Sequence, residues 1–403
     1  MSSPSATTAP PVDTSGNFIT RLWRNQESRS VIIQIITMAI LFALLAMVAR
    51  NVAINLAAIG KDFSFDFLWS TSAYDITFSP FIEYNSRDTH MRAMWVGIGN
   101  TFLVAVCGII LASLLGFSMG VMRLSHNWLI SRTVYCIIEF TRNVPVLLHI
   151  LLIHGMIITT LPPPKQAIPL GDSFFISNRG FFVPGPVFEE GFWLVAAAFI
   201  VSIVAIIFFR RWAKQVQDAT GKIYPVLWIS LGILVGFTGL VFLATGMPLS
   251  WDIPALKGFN YKGGMSLKPE FLALWLALSY YTASFIAEIV RSGIISVSHG
   301  QTEAARALGL KPNRTLQLVI VPQALRVIIP PLASQYLNLT KNSSLAIAIG
   351  YMDVVATIGG ISLMQTGKEM ETMMIVIGIY LILSLAISAF MNWYNRKMKL
   401  VSR

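Results

Sequence analysis

Eight times along this chain, polar residues give way to an apolar run long enough to cross a lipid bilayer. The runs cover roughly 31–50, 94–121, 134–160, 192–209, 225–245, 270–290, 326–350 and 372–392. A helix needs about 20 apolar residues to cross the hydrocarbon core. No water is available there for backbone N–H and C=O groups, so runs of this length must be helical. Of the 403 residues, 12% are charged, about half the share of an average soluble domain. The expected fold is all-α, a polytopic membrane bundle of about eight transmembrane helices.

Charge orients the bundle. The net charge of +11 is not gathered on one soluble face, as nucleic-acid binding would require. Basic residues lie in short segments between the runs. With the N-terminus in the cytoplasm, the positive-inside rule places Arg21, Arg24, Arg29, Arg123, Arg132, Arg210, Arg211, Arg291, Arg306, Arg314 and the tail residues Arg396, Lys397, Lys399 and Arg403 inside. Asp62, Asp66, Asp75, Glu83, Asp88, Asp172, Glu189, Glu190, Asp252 and Asp353 then fall outside. Eight spans return the C-terminus to the cytoplasm.

Residues 1–30 read as a cytoplasmic tail, disordered over its Ser-, Thr- and Pro-rich first 20 positions. The first apolar run has no small-residue cleavage site after it and reads as a retained span rather than a signal peptide. Residues 31–92 hold that span and an outer loop. The outer stretch 161–191, with Pro162, Pro163, Pro164, Pro184 and Pro186, reads as an ordered loop. Cys107 and Cys136 lie inside apolar runs and imply neither disulfide nor metal. Gly116-Phe117-Ser118-Met119-Gly120 has nucleophile-elbow spacing, but that motif needs a strand-turn-helix setting. Within a span, Gly116 and Gly120 read as a packing face. His149 and His154 are five apart, which does not place two metal ligands on one helical face.

The most informative segment is the inner loop SHGQTEAARALGLKPNRTLQLVIVP, Ser298 to Pro322. Ser298 and Gln301 have capping-box spacing. Good helix formers follow to Leu308. Gly309 stands where a left-handed residue ends a helix, and Pro312 can open the next one. The helix, about 299–309, has a small apolar face of Ala304, Ala305 and Leu308. Such a face fits a groove in a soluble partner or lies flat on headgroups.

Glu303-Ala304-Ala305, Gly309 four residues later, and Val319-Ile320-Val321-Pro322 resemble the EAA motif of ABC-importer permeases, E-A-A, three residues, G, nine residues, I-x-L-P. Val319 and Val321 are conservative departures. Glu139-Phe140-Thr141-Arg142-Asn143-Val144-Pro145, Tyr281 through Arg291 and Lys341-Asn342-Ser343-Ser344-Leu345 resemble further stretches of the polar amino-acid permeases (the histidine, glutamate, glutamine, arginine and opine family), with departures at Asn143, Val144 and Asn342. The length and the stretch 161–269 with two extra spans resemble the general L-amino-acid, Aap/Bzt-like subgroup.

The resemblance implies a type I importer transmembrane domain. Its permease core would occupy 93–160 and 270–395, interrupted by the 161–269 insertion and followed by the basic tail 396–403. It implies that Glu303, Ala304, Ala305, Leu308, Gly309 and Pro322 belong to a coupling helix and its surroundings that contact an ATPase. It also implies a second, similar permease forming a heterodimer, an ABC ATPase dimer, a periplasmic solute-binding protein, an L-amino-acid substrate, and a bacterial inner-membrane location. The chain lacks a G-x-x-x-x-G-K-[ST] loop. No cofactor is expected in it, no enzyme activity of its own, and ATP with magnesium belongs on the partner ATPase.

Ionisable residues in spans default to functional candidates. Glu139 with Arg142, and Glu288 with Arg291, have i,i+3 spacing for self-neutralising pairs; they read as structural pairs or as a gate. Gln335, Asn338 and Asn342 form one polar stripe, with Lys341 and Ser344 beside it. The stripe must face protein or a wet cavity and reads as a translocation pathway or as interhelical glue. Pro322, Pro330 and Pro331 are expected to break the approach to the seventh span, as a lever or a static bend. A gradient-driven transporter would more often show inverted repeats and paired broken helices. A membrane scaffold would not need the stripe.

Overall fold

The computed structural model describes residues 26–58, 60 and 62–398. The expectations on Arg21, Arg24, Lys399, Arg403 and the first 20 residues lie outside these. The described residues fall into two units, one ending at Phe67 and one beginning at Leu68. The first contains α1 (Gln26–Ala58), apolar on all sides, with Leu41, Phe42, Leu44 and Leu45 exposed. A helix of that kind is at home in lipid.

The second unit is built on α2 (His90–Met122) and α7 (Pro269–Ile295). Their partners ascend together: Ser279 meets Gly108, Ile286 meets Gly116, and Val290 meets Gly120. The two helices therefore run parallel through the membrane. A Cβ on Gly116 would lie 2.6 Å from Ile286 Cβ, and one on Gly120 would lie 2.7 Å from the Ala287 carbonyl. Any side chain there would force the helices apart, so the two glycines form a helix-packing face.

The third apolar run is not straight. α3 (Trp128–Asn143) and α4 (Val146–Thr160) meet at 105°. Pro145 forces Val144 into extended backbone (φ −106°, ψ 132°), so α3 stops and α4 starts in a new direction. Among the described residues, seven helices are long and apolar enough to cross a membrane, or eight with this bent pair counted as one span. Cys107 and Cys136 are unpaired thiols, and Cys136 is exposed on α3 rather than packed.

The insertion contributes α5 (Phe192–Thr220) and α6 (Val226–Ala244), the latter with a π-helical stretch at Gly232–Phe237. The segments flanking these two helices are not loops alone. They pair into small antiparallel sheets: β1 (Ile168–Pro169), β2 (Phe175–Ser177), β3 (Gly180–Val183) and β4 (Gly185–Phe188) before the two spans, and β5 (Leu249–Asp252), β6 (Ala255–Lys257), β7 (Asn260–Lys262) and β8 (Met265–Leu267) after them. One sheet has the order β1-β2-β3-β8, while β4 pairs with β5 and β6 with β7. The register Phe181 to Leu267 and Gly185 to Asp252 ties the start of the insertion to its end. A side chain on Gly180 would collide with the Leu267 carbonyl, and its φ of +125° suits glycine. The insertion is thus an excursion that closes on itself before α7 begins at Pro269.

After α7 comes a short helix α8 (His299–Ala307). α9 follows over 312–342: an opening turn at Pro312–Thr315, a π-helical stretch at Leu316–Ile320, and Val321–Asn342. It tightens into a 3-10 stretch at Ser343–Ile349. The expected break at Pro322, Pro330 and Pro331 does not occur. The helical path is continuous, with Pro330 and Pro331 inside it. Proline removes one backbone donor, and the π-helical widening directly before Pro322 accommodates that loss without ending the helix. α10 (355–366) and α11 (Glu369–Met398) complete the bundle.

Residues 68–89 pack against the start of α2, Met352 and α10. Asn100 donates to the Phe78 and Met352 carbonyls at 2.8 and 2.9 Å. Tyr74 OH lies 3.2 Å from Ser362 Oγ. Burial pushes the Tyr74 phenol up to about 12, so it stays protonated and able to donate.

Candidate functional site

The segment singled out by sequence joins α7 to α9. Ser298 precedes α8, but its side chain makes no capping bond. Gln301 instead accepts from Gln323 Nε2 on α9 at 3.2 Å, so the expected capping box is replaced by a tie between the two helices. The other end follows its sequence. Gly309 has φ +77°; its N–H donates to the Arg306 carbonyl at 2.8 Å, and Leu310 N–H donates to the Ala305 carbonyl at 3.1 Å. This is a Schellman cap, which requires a left-handed residue at the stop.

The cap and the tie fix which side of α8 is available. Ala305 is buried, while Ala304 is exposed and Leu308 is 82% exposed. The three do not share one face: Ala305 seats the helix on the protein, and Ala304 and Leu308 project from it. Glu303 is exposed and lies 2.9 Å from His299 Nδ1. Val319 and Ile320 lie in the π-helical stretch, and Pro322 is half-buried at the first turn of the long segment of α9.

Both charge pairs form. Arg142 reaches Glu139 at 3.5 Å, and Arg291 Nη2 reaches Glu288 Oε1 at 2.6 Å. Sequence spacing could not show that Arg123, at the end of α2, joins Glu288 from the other side. Glu288 therefore bridges α2 and α7. Tyr135 on α3 lies beneath Arg123 and Arg132, 4.8 and 5.1 Å from its ring centre.

On α9, Asn338 and Lys341 are exposed, while Gln335, Asn342 and Ser344 are half-buried. Ser344 Oγ donates to the Lys341 carbonyl at 2.8 Å. The stripe thus lies on the surface of this subunit. Lipid cannot satisfy its amides, so it requires a protein neighbour or a water-filled path. Sequence reasoning gave no role to His149, which is buried on α4 beside the rings of Tyr280 and Tyr281. Its Nδ1 lies 3.2 Å from the Pro145 carbonyl, so the ring braces the bend between α3 and α4.

Comparison with known proteins gives a consistent set. Residues 220–400 match the family described as binding-protein-dependent transport system inner membrane component. The general L-amino acid transport system permease protein AapQ of Rhizobium johnstonii is 48% identical over 93% of each chain. BztB of Rhodobacter capsulatus, a glutamate/glutamine/aspartate/asparagine transport system permease protein, is 45% identical over 93% of this chain and 95% of its own. YhdX of Escherichia coli, a putative amino-acid ABC transporter permease protein, is 44% identical over 94% of this chain and 96% of its own.

Proposed function

The chain belongs to the family of amino-acid ABC-transporter permeases, and from that premise we infer that it forms part of the path by which L-amino acids enter a bacterial cell. It is a multi-pass membrane subunit that works within a transporter complex. Energy comes from a separate ABC ATPase dimer holding ATP and magnesium. A periplasmic binding protein delivers substrate, and a second, similar permease completes the pathway. Both termini lie in the cytoplasm, which puts α8 on the ATPase side.

The observation that carries this reading is α8: a short, firmly capped helix seated through Ala305, with Leu308 left outward at the membrane face. An exposed leucine beside alanine suits a groove in a soluble partner. Closure of the ATPase pair would push α8. Gln301 to Gln323 and the Schellman cap then pass the movement to α9, whose polar stripe lines the pathway together with the partner permease. Glu303, Ala304, Gly309 and Pro322 shape this contact. Glu288 with Arg123 and Arg291 holds the ends of α2 and α7 in register, while Glu139 with Arg142 neutralises itself within α3.

The test is to tag the chain, extract it gently from its native host and identify what stays bound. An ABC ATPase and a second permease are the expected companions. Recovery of the chain alone, or only with copies of itself, would contradict the proposal.

A further inference from the structure

The turn joining α2 to α3 closes a basic cavity that transport as described above does not use. Its volume is about 530 Å³, and its lining includes Arg123, Arg132, Arg291 and Ser131, with Trp128 and Tyr135 as aromatic walls. Three guanidinium groups here face one nearby carboxylate. Glu288 is shared by Arg123 and Arg291, and among the described residues no carboxylate pairs with Arg132, which rests over the Tyr135 ring. Two positive charges are left over. Ser131 Oγ donates to the Arg123 carbonyl at 2.8 Å, closing the turn. Asn127 Oδ1 accepts from Leu129 N–H at 3.0 Å, so the start of α3 is already capped and the arginines supply the attraction.

The position of the cavity limits what it can hold. It lies where α2 and α7 end, at the membrane face that also bears α8. Directly beside it, Trp128 is 74% exposed and Leu129 is 64% exposed. Aromatic residues in such a place sit at headgroup depth, and arginine forks match phosphate oxygens in pairs. Basic cavities between transmembrane helices are built for lipid headgroups. A phosphate bound among the guanidinium groups would leave its acyl chains along Trp128 and Leu129. A soluble acidic protein would find an apolar rim where it needs a polar one, and α8 supplies none of the lining.

We propose that this cavity binds the phosphate of an anionic phospholipid headgroup from the adjacent leaflet. The inference rests on the cavity and not on the transported substrate. Binding there would fix the α2–α3 turn and, through Glu288, the end of α7 that leads into α8.

The full chain is purified and placed in nanodiscs of phosphatidylcholine alone or mixed with phosphatidylglycerol, and retained lipid is counted by native mass spectrometry. The wild type should retain phosphatidylglycerol over phosphatidylcholine. Arg132→Gln should weaken that preference roughly fivefold, the effect of one basic residue at an anionic surface. Arg132→Lys should recover part of it. Arg211→Gln on α5, exposed and outside the cavity, should leave it unchanged. The proposal fails if the wild type shows no preference, or if Arg132→Gln and Arg211→Gln lose equally. Displacement of the lipid by inorganic phosphate would make the cavity a free-anion site and also overturn it. So would loss of the preference when the co-purified ATPase is bound, because the cavity would then be a protein contact.

Discussion

The central helix α7 and the two spans of the 161–269 stretch are all apolar, yet they bury very different shares of themselves. In α7, 61% of the most membrane-like stretch is buried, against 17% in α5 and 6% in α6. Hydropathy does not predict this order, since α7 is the least hydropathic of the three. Small residues do. Gly116 and Gly120 touch α7, whereas Gly232, Gly236 and Gly239 on α6 have nothing within 4 Å of a built Cβ. Between helices already in lipid there is no hydrophobic gain to drive association, so close backbone approach decides what packs. α7 is fitted between its neighbours, and α6 is left largely exposed on the surface of this subunit.

The largest expected effect breaks this contrast at one residue type. Gly120→Val should destabilise the folded chain by about 3 kcal/mol or prevent its accumulation, through overpacking against Ala287 and Val290. Gly236→Val on α6 should leave the yield and melting temperature of the detergent-extracted chain unchanged. Equal effects would show that the contrast in burial has no energetic content.

Next is the charge that joins α2 to α7. Glu288→Gln leaves Arg123 and Arg291 without their carboxylate in a half-buried place. The expected cost is roughly 1–3 kcal/mol, reduced from the fully buried case by partial solvent access. Arg210→Gln on the exposed inner part of α5 should shift the melting temperature little.

Asn338→Leu removes an exposed amide from the core's polar stripe without touching a buried contact. Uptake should fall sharply while the complex still assembles; normal uptake would remove the stripe from the pathway. The smallest effect belongs to Ser298→Ala. The Ser298 side chain caps nothing, so stability should change by no more than about 0.5 kcal/mol.

The same contrast explains what could be read from sequence. The spans, the Gly116 and Gly120 packing face and the stop of α8 at Gly309 are local: each depends on run length, residue size or one left-handed backbone position. The sheets of the insertion are not local. Their strands are two to four residues long, too short for an alternating pattern, and β3 finds β8 only across two membrane spans. The Arg123–Glu288 bridge joins residues 165 apart in sequence. The 134–160 run reads as one span in sequence, and the 105° bend at Pro145 shows only in the structure. Pro322, Pro330 and Pro331 announced a break, yet the helix runs on through all three, with a π-helical stretch only before Pro322. The face of α8 also needed the structure, because only the bond from Gln323 and the burial of Ala305 determine that Leu308 points outward.

The central claim is that ATP hydrolysis elsewhere drives this subunit through α8, and ATP-driven uptake tests it most directly. The complex purified through this chain is placed in proteoliposomes with its binding protein, and accumulation from a labelled mixture of L-amino acids is measured for the wild type and for Gly309→Asp. That substitution puts a side chain and a charge on the left-handed stop of α8. The account predicts accumulation that requires ATP and the binding protein, and its loss in the variant while the subunits still co-purify. Accumulation that ignores ATP and follows an imposed ion gradient, unchanged in Gly309→Asp, would contradict it.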